Sequence, residues 1–245
     1  MTDGSDPADR LAAVRRRIEA ACATSGRSPG EVTLLAASKH TDAAGIAYLA
    51  AAGQRAFGEN RVQDAAEKLD ELPRQLRRAI EVHLIGHLQG NKVRAAVAAF
   101  DLVQSVDSLR LATALGGAAA AAGRRLPVLV QVNVAGDPAK GGFGVDQLLA
   151  ASEALLAVAA LEVRGLMTIG PAVQDAEAAR PTFRALRELR EGLAGAWPAE
   201  ALRQLSMGMS ADFEVAIEEG ATIVRVGRAL FGAGDSAGAG RRTAP

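Results

Sequence analysis

Pro127–Val134 reads PVLVQVNV, an apolar run whose only polar positions are Gln131 and Asn133. Eight residues of this kind suit a strand rather than a helix, and an apolar strand suits a sheet covered on both faces. A loop with Lys140-Gly141-Gly142 follows, then a helical pattern from Asp146. Strand followed by helix is the unit of a parallel sheet, because parallel neighbours are joined through crossover helices.

Working outward, the same unit recurs. On the N-terminal side, Val32–Ser38 (VTLLAAS) reads as the first strand, with Thr41 or Asp42 placed to cap a helix to about Ala52. Arg55–Phe57 then precedes a helix from Val62 to Leu72, Val82–Ile85 precedes one from about Lys92, and Leu102–Val106 precedes an alanine-rich helix. On the C-terminal side come Val163–Ile169 with a helix over 175–194, Leu202–Ser206 with a short helix Asp212–Glu219, and Thr222–Val226. These eight units predict an α/β fold, a single closed (β/α)8 TIM barrel. The fallback is an open doubly wound sheet, but no GxGxxG follows the first strand to support its nucleotide-binding form. In front of the barrel, Ser5-Asp6-Pro7 starts a helix on which Leu11, Val14, Ile18 and Cys22 share a face, so an extra N-terminal helix is predicted. Residues 1–233 are expected to form one domain, and the polar tail 234–245 to be disordered.

Composition narrows the function. Lys plus Arg (28) balances Asp plus Glu (28), so no global field draws in nucleic acid or an acidic membrane. The single cysteine, Cys22, excludes an internal disulfide and suits a reducing cytosol. MTDGSDPADR at the start has no apolar core of a signal peptide, and no apolar run is long enough to span a bilayer. A cytoplasmic monomer without nucleic-acid or membrane partners is expected.

In such barrels the active groups sit at the C-terminal ends of the strands. Here those ends carry Ser38-Lys39-His40, Gly58-Glu59-Asn60, Gly86–Lys92, Ser206-Met207-Gly208-Met209-Ser210 and Arg225-Val226-Gly227-Arg228. A lysine leaving a buried strand at the mouth loses solvation, which favours the neutral amine that an aldehyde needs to form a Schiff base. Taken alone, Lys39 reads equally as a solvated loop lysine. The loops after strands seven and eight, where these barrels commonly hold phosphate, supply serines and glycines, and Ser210 is placed to cap the next helix. An amine on the first strand facing a phosphate cradle on the last two suits a phosphorylated aldehyde. Arg225 needs a partner inside its apolar strand: either the ring nitrogen of a cofactor or a barrel carboxylate such as Glu59. His40, His83 and His87 lack metal-ligand spacing; His83 reads as a core hydrogen-bonding residue and Cys22 as core.

LLAASK (34–39), FGEN (57–60), HLIGHLQGNK (83–92), VQVNV (130–134), RGLMTIG (164–170), LSMGMSADFEVAI (205–217) and RVGRALFG (225–232) run in one order across the chain. Together they resemble the pyridoxal phosphate homeostasis protein family, whose fold is that of the barrel domain of alanine racemase. The resemblance implies pyridoxal 5′-phosphate (PLP) held by Lys39 as an internal aldimine. It places Ser206 and the Gly227-Arg228 backbone at the phosphate, Arg225 at the pyridine nitrogen, and Asn60 and Met207 along the ring. It further implies a role in PLP (vitamin B6) and amino-acid homeostasis without fast catalysis, with PLP-dependent apoenzymes as candidate recipients. Two departures stand out: Arg228 replaces a common Thr or Ser, and a Lys-x-Gly loop is written Lys140-Gly141-Gly142. The alternatives are a PLP-dependent amino-acid racemase and a cofactor-independent Schiff-base lyase. Against the racemase, the sole tyrosine, Tyr48, falls in the helix after strand one, away from the expected mouth.

Overall fold

A computed structural model describes residues 6–232; the expected tail 234–245 lies outside that range. The strands are β1 Thr33–Ala37, β2 Ala56–Glu59, β3 Glu81–Leu84, β4 Leu102–Val106, β5 Leu126–Gln131, β6 Leu161–Met167, β7 Gln204–Met209 and β8 Ile223–Val226. They pair in chain order, all parallel, and β8 closes on β1 with Leu35 opposite Arg225. The helices are α1 Pro7–Thr24, α2 Ala43–Ala51, α3 Val62–Glu71, α4 Arg74–Ala79, α5 Val93–Ala99, α6 Leu109–Ala121, α7 Val145–Leu156, α8 Arg180–Gly192, α9 Phe213–Glu218 and α10 Arg228–Phe231. Helix α4, which follows Pro73, and the single turn α10 after the last strand are the helices the periodicity missed. The expected (β/α)8 barrel with an N-terminal helix is the observed fold.

Side chains alternate across each strand, so the barrel has two cores. Leu35, Ala56, Leu102, Leu129, Met167 and Ile223 fill its interior. Leu34, Phe57, Val82, Val103, Val128, Val130, Leu205, Val224 and Val226 belong to the larger core that the helices cover. Asp42 caps α2 by accepting from the Gly45 N–H at 2.9 Å.

The helix after β8 is a single turn, too short to cover the closing seam. Helix α1 supplies the cover. Arg10 Nε donates to Leu230 O at 2.7 Å and Arg17 pairs with Glu214 at 2.6 Å; just beyond the helix, Arg27 Nη1 donates to Ile217 O and Ala221 O, each at 2.8 Å. This explains why the apolar face with Leu11, Val14, Ile18 and Cys22 is buried although it precedes the first strand. Among the described residues no helix is long and apolar enough to cross a membrane.

Candidate cofactor site at the barrel mouth

A cavity of about 480 Å³ opens at the C-terminal ends of β1, β2, β6, β7 and β8. That volume lies in the range of small-molecule sites. Its polar lining is Lys39, Asn60, Ser210, Asp212, Arg225 and Arg228; Ile85, Ile169, Pro171 and Val173 supply an apolar wall. Three of the four charged side chains are cations, so the cavity favours an anion.

Lys39 follows a strand end that is fixed from three sides. Ser38 N–H donates to Gly58 O at 2.9 Å, its hydroxyl donates to Glu59 Oε1 at 2.7 Å, and its carbonyl accepts from Lys68 Nζ at 2.9 Å. Lys39 itself is exposed, not withdrawn from water as the strand-end position suggested. Asn60 is held close to β3 by Gly86, where an added Cβ would lie 2.1 Å from Asn60 O. That glycine is a site residue the sequence reading placed only within a polar segment.

Strand β7 runs to Met209, three residues beyond the expected end at Ser206, and this corrects two expected positions. Ser206 is fully buried inside the barrel and does not line the cavity; its hydroxyl donates to Gln104 Oε1 at 2.6 Å and accepts from Arg225 Nη1 at 2.7 Å. Met207, on the opposite face of the strand, is buried in the outer core. Met209 and Ser210 stand at the mouth instead. The signal was Gly208, which at φ +89° brings β7 against α9 so closely that a Cβ would meet Ala216 Cβ at 2.5 Å. Nor does Ser210 cap α9: Asp212 is the N-cap residue, and Ser210 Oγ accepts from the Gly227 N–H at 3.3 Å.

Arg225 does not pair with Glu59, which binds Lys68 Nζ at 3.0 Å on the other side of the sheet end. Arg225 Nη2 donates instead to Thr168 O at 2.8 Å. Burial pulls the Arg225 guanidinium down to about 10, with Asp212 working in the opposite direction, so it remains a cation at neutral pH. Burial likewise raises Asp212, opposed by the Met209 N–H at 2.6 Å and by Arg225. Asp212 was read from sequence only as the start of a helix. Gly227 and the exposed Arg228 both line the cavity. The Lys140-Gly141-Gly142 loop folds back on β5, where Gln131 Nε2 donates to Gly141 O at 2.8 Å. Tyr48 donates to Asp6 at the start of α1 and is not in the cavity wall. Among the described residues no group of three His, Cys, Asp or Glu is placed to hold a metal.

A closed barrel with a lysine-bearing, cationic mouth defines a class: residues 10–235 match the model of the alanine racemase N-terminal domain. Within that class, the chain belongs to the family of pyridoxal phosphate homeostasis proteins. It is 43% identical over 224 residues to the protein of that name from Aquifex aeolicus, covering 91% of this chain and 96% of the relative. It is 41% identical over 234 residues to that of Escherichia coli K12, covering 94% and 98%. Among solved structures, PipY of Synechococcus elongatus PCC7942 with PLP bound superposes with a TM-score of 0.80 at 38% identity, covering 93% of this chain and all of the other. Alanine racemase of Clostridium difficile 630 is 14% identical with a TM-score of 0.70; it covers 91% of this chain but 56% of its own, a likeness of fold alone.

Proposed function

We propose that this protein binds PLP at the barrel mouth, attached to Lys39, and serves PLP and amino-acid homeostasis as a carrier and regulator rather than as a fast catalyst. The observation that carries the reading is that one cavity joins Lys39, from the loop after β1, to Ser210 after β7, Arg225 on β8 and Gly227 and Arg228 after it. The bound PLP of PipY and the names of the curated relatives support it.

The residues fit the group. Lys39 provides the amine, and its condensation with an aldehyde releases one water. Arg228, the Ser210 hydroxyl and the Gly227 backbone surround the position suited to a phosphate dianion. Arg225 offers N–H donors to a ring nitrogen, and a guanidinium holds its proton too firmly to hand it over, so the pyridine stays neutral. Bound PLP supplies an electrophilic aldehyde and an electron-accepting ring, and a neutral ring is the weaker acceptor. A racemase also needs an acid–base group opposite the lysine. Tyr48 is bonded to Asp6, and the Asp212 carboxylate accepts the Met209 N–H. PLP-dependent apoenzymes are the recipients this reading implies.

Purified protein mixed with PLP is expected to show the visible absorbance band of lysine-bound PLP, and Lys39→Ala to lose it; an unchanged spectrum defeats the proposal. Release of α-deuterium from labelled amino acids well above the rate with free PLP would favour the racemase instead.

A further inference from the structure

We propose that Gln104 on β4 and His83 on β3 are positioning residues that hold Arg225 as a directed hydrogen-bond donor toward the ring nitrogen of PLP. The inference rests on the PLP-binding reading above and goes beyond it by assigning two interior side chains that do not line the cavity.

Four side chains form one chain of contacts across the barrel interior. Arg225 Nη1 donates to Ser206 Oγ at 2.7 Å, Ser206 donates to Gln104 Oε1 at 2.6 Å, and Gln104 Nε2 lies 2.9 Å from His83 Nδ1. All are buried: Gln104 and Ser206 show no exposure, His83 3% and Arg225 5%. Polar groups so deep in an apolar barrel are costly unless satisfied, which constrains the contacts within the chain; at its far end His83 Nε2 makes no hydrogen bond and faces Glu81 Oε2 at 3.5 Å.

The direction of the chain follows from its members. Arginine can only donate. Ser206 therefore accepts from Arg225 and has one hydrogen left, which Gln104 Oε1 takes. The amide nitrogen of Gln104 then faces His83, whose Nδ1 must present a lone pair and whose proton sits on Nε2. Turning the amide round would give Ser206 two donors and leave its own hydrogen without the Gln104 acceptor, an unfavourable state in a buried site. Arg225 thus sets the Ser206 hydroxyl, the hydroxyl sets the Gln104 amide, and His83 Nδ1 completes the chain by accepting from that amide, so that the three together hold one corner of the guanidinium.

A second anchor fixes its plane. Arg225 Nη2 donates to Thr168 O at 2.8 Å, and Thr168 is tied to Val132 O by its hydroxyl at 2.8 Å. Both anchors are neutral acceptors. The nearby carboxylate, Asp212, acts on Arg225 through charge and directs its Oδ1 to the Met209 N–H. Since Arg225 also lines the cavity, its remaining N–H groups are those available to an acceptor there. An unprotonated pyridine nitrogen is such an acceptor; a protonated one is not.

The test uses the holo-protein carrying PLP labelled with ¹⁵N in the ring. The readouts are the ring ¹⁵N resonance, PLP affinity by absorbance titration, and thermal unfolding as a check of folding. Gln104→Leu and His83→Leu are expected to shift the ring resonance in one direction and weaken PLP binding about threefold to tenfold, while the Lys39-dependent band remains. In His83→Asn the amide oxygen takes the place of the Nδ1 acceptor, so the wild-type resonance is expected to return. A purely structural role would move unfolding and leave the resonance alone. The proposal is overturned if either folded Leu variant keeps the wild-type resonance and affinity while Arg225→Leu changes both. It is equally overturned if His83→Asn behaves as His83→Leu does. Absence of the Lys39-dependent band in the wild type would instead defeat the PLP reading itself.

Discussion

Two buried polar networks lie on opposite sides of the barrel mouth, and they are built differently. Under β1 and β2, Glu59, Lys68 and Ser38 close on one another: Lys68 Nζ reaches both Glu59 oxygens, at 3.0 and 3.2 Å, and the Ser38 carbonyl. Charge meets charge there, and the result holds the backbone beside Lys39. Under β7 and β8, Arg225 meets a hydroxyl and a carbonyl, and among the described residues no carboxylate is in hydrogen-bond contact with it. A buried cation left with neutral partners at a cavity wall is a group prepared for something else. The comparison separates a network closed on itself by charge from one whose cation has only neutral partners and which the proposed function assigns to the ligand.

Substitutions can break or sharpen that contrast. Lys68→Met leaves the nearly inaccessible Glu59 carboxylate without its counter-charge and is expected to lower the unfolding free energy by about 3–5 kcal/mol, read by denaturant titration. Gly86→Ala drives a methyl group into the Asn60 backbone, so a loss of about 1–3 kcal/mol is expected together with weaker PLP binding. Arg225→Met should show the opposite profile from Lys68→Met. PLP affinity is expected to fall about tenfold, roughly 1.4 kcal/mol, with unfolding shifted by no more than about 1 kcal/mol, because an apolar replacement removes a buried charge. Equal loss of stability in the Lys68 and Arg225 variants would erase the distinction.

The smallest effect is expected at the rim between α8 and α9. Burial works to raise Glu219, but hydrogen bonds from Arg184 and Arg180, with Arg187 nearby, more than offset it and leave this carboxyl below its usual range. Its stabilisation is therefore fully present above the ordinary carboxylate value of about 4.3 and fades as pH falls through the lowered one. Glu219→Gln should flatten the acid side of the melting-temperature profile and cost about 1 kcal/mol near neutrality, since the arginines remain partly hydrated. An unchanged acid slope would show that this cluster contributes nothing measurable.

The strands were legible wherever an apolar run of five or six residues had clear ends. Leu102–Val106 coincides with β4, and PVLVQVNV covers most of β5. The misplaced element with functional consequence was β7. SMGMS reads as a loop because of its glycine and serines, yet it continues the strand to Met209, since Gly208 tolerates a backbone geometry that packs β7 onto α9. Period-two alternation then turned a small shift in the strand end into a change of role: Ser206 went inside, Met207 outside, and Met209 and Ser210 to the mouth. Lys39, Asn60, Arg225, Gly227 and Arg228 sit where their strand ends predicted because β1, β2 and β8 end close to the expected residues. His83 read as a core hydrogen-bonding residue and Gln104 only as one position of the fourth strand, and nothing in one dimension connects residues 21 apart to Ser206 a further 102 residues on.

The order of strands and helices, the parallel closure and the presence of a lysine and a glycine-rich cationic segment at strand ends were written in local patterns of polarity, which act over a few residues and survive in any arrangement of the rest. Which hydroxyl faces the cavity, which carboxylate takes Lys68 and which side chains aim Arg225 depended on register and on the side of the sheet each residue faces. Those are settled only when eight strands close on one another and buried polar groups take their partners from distant parts of the chain.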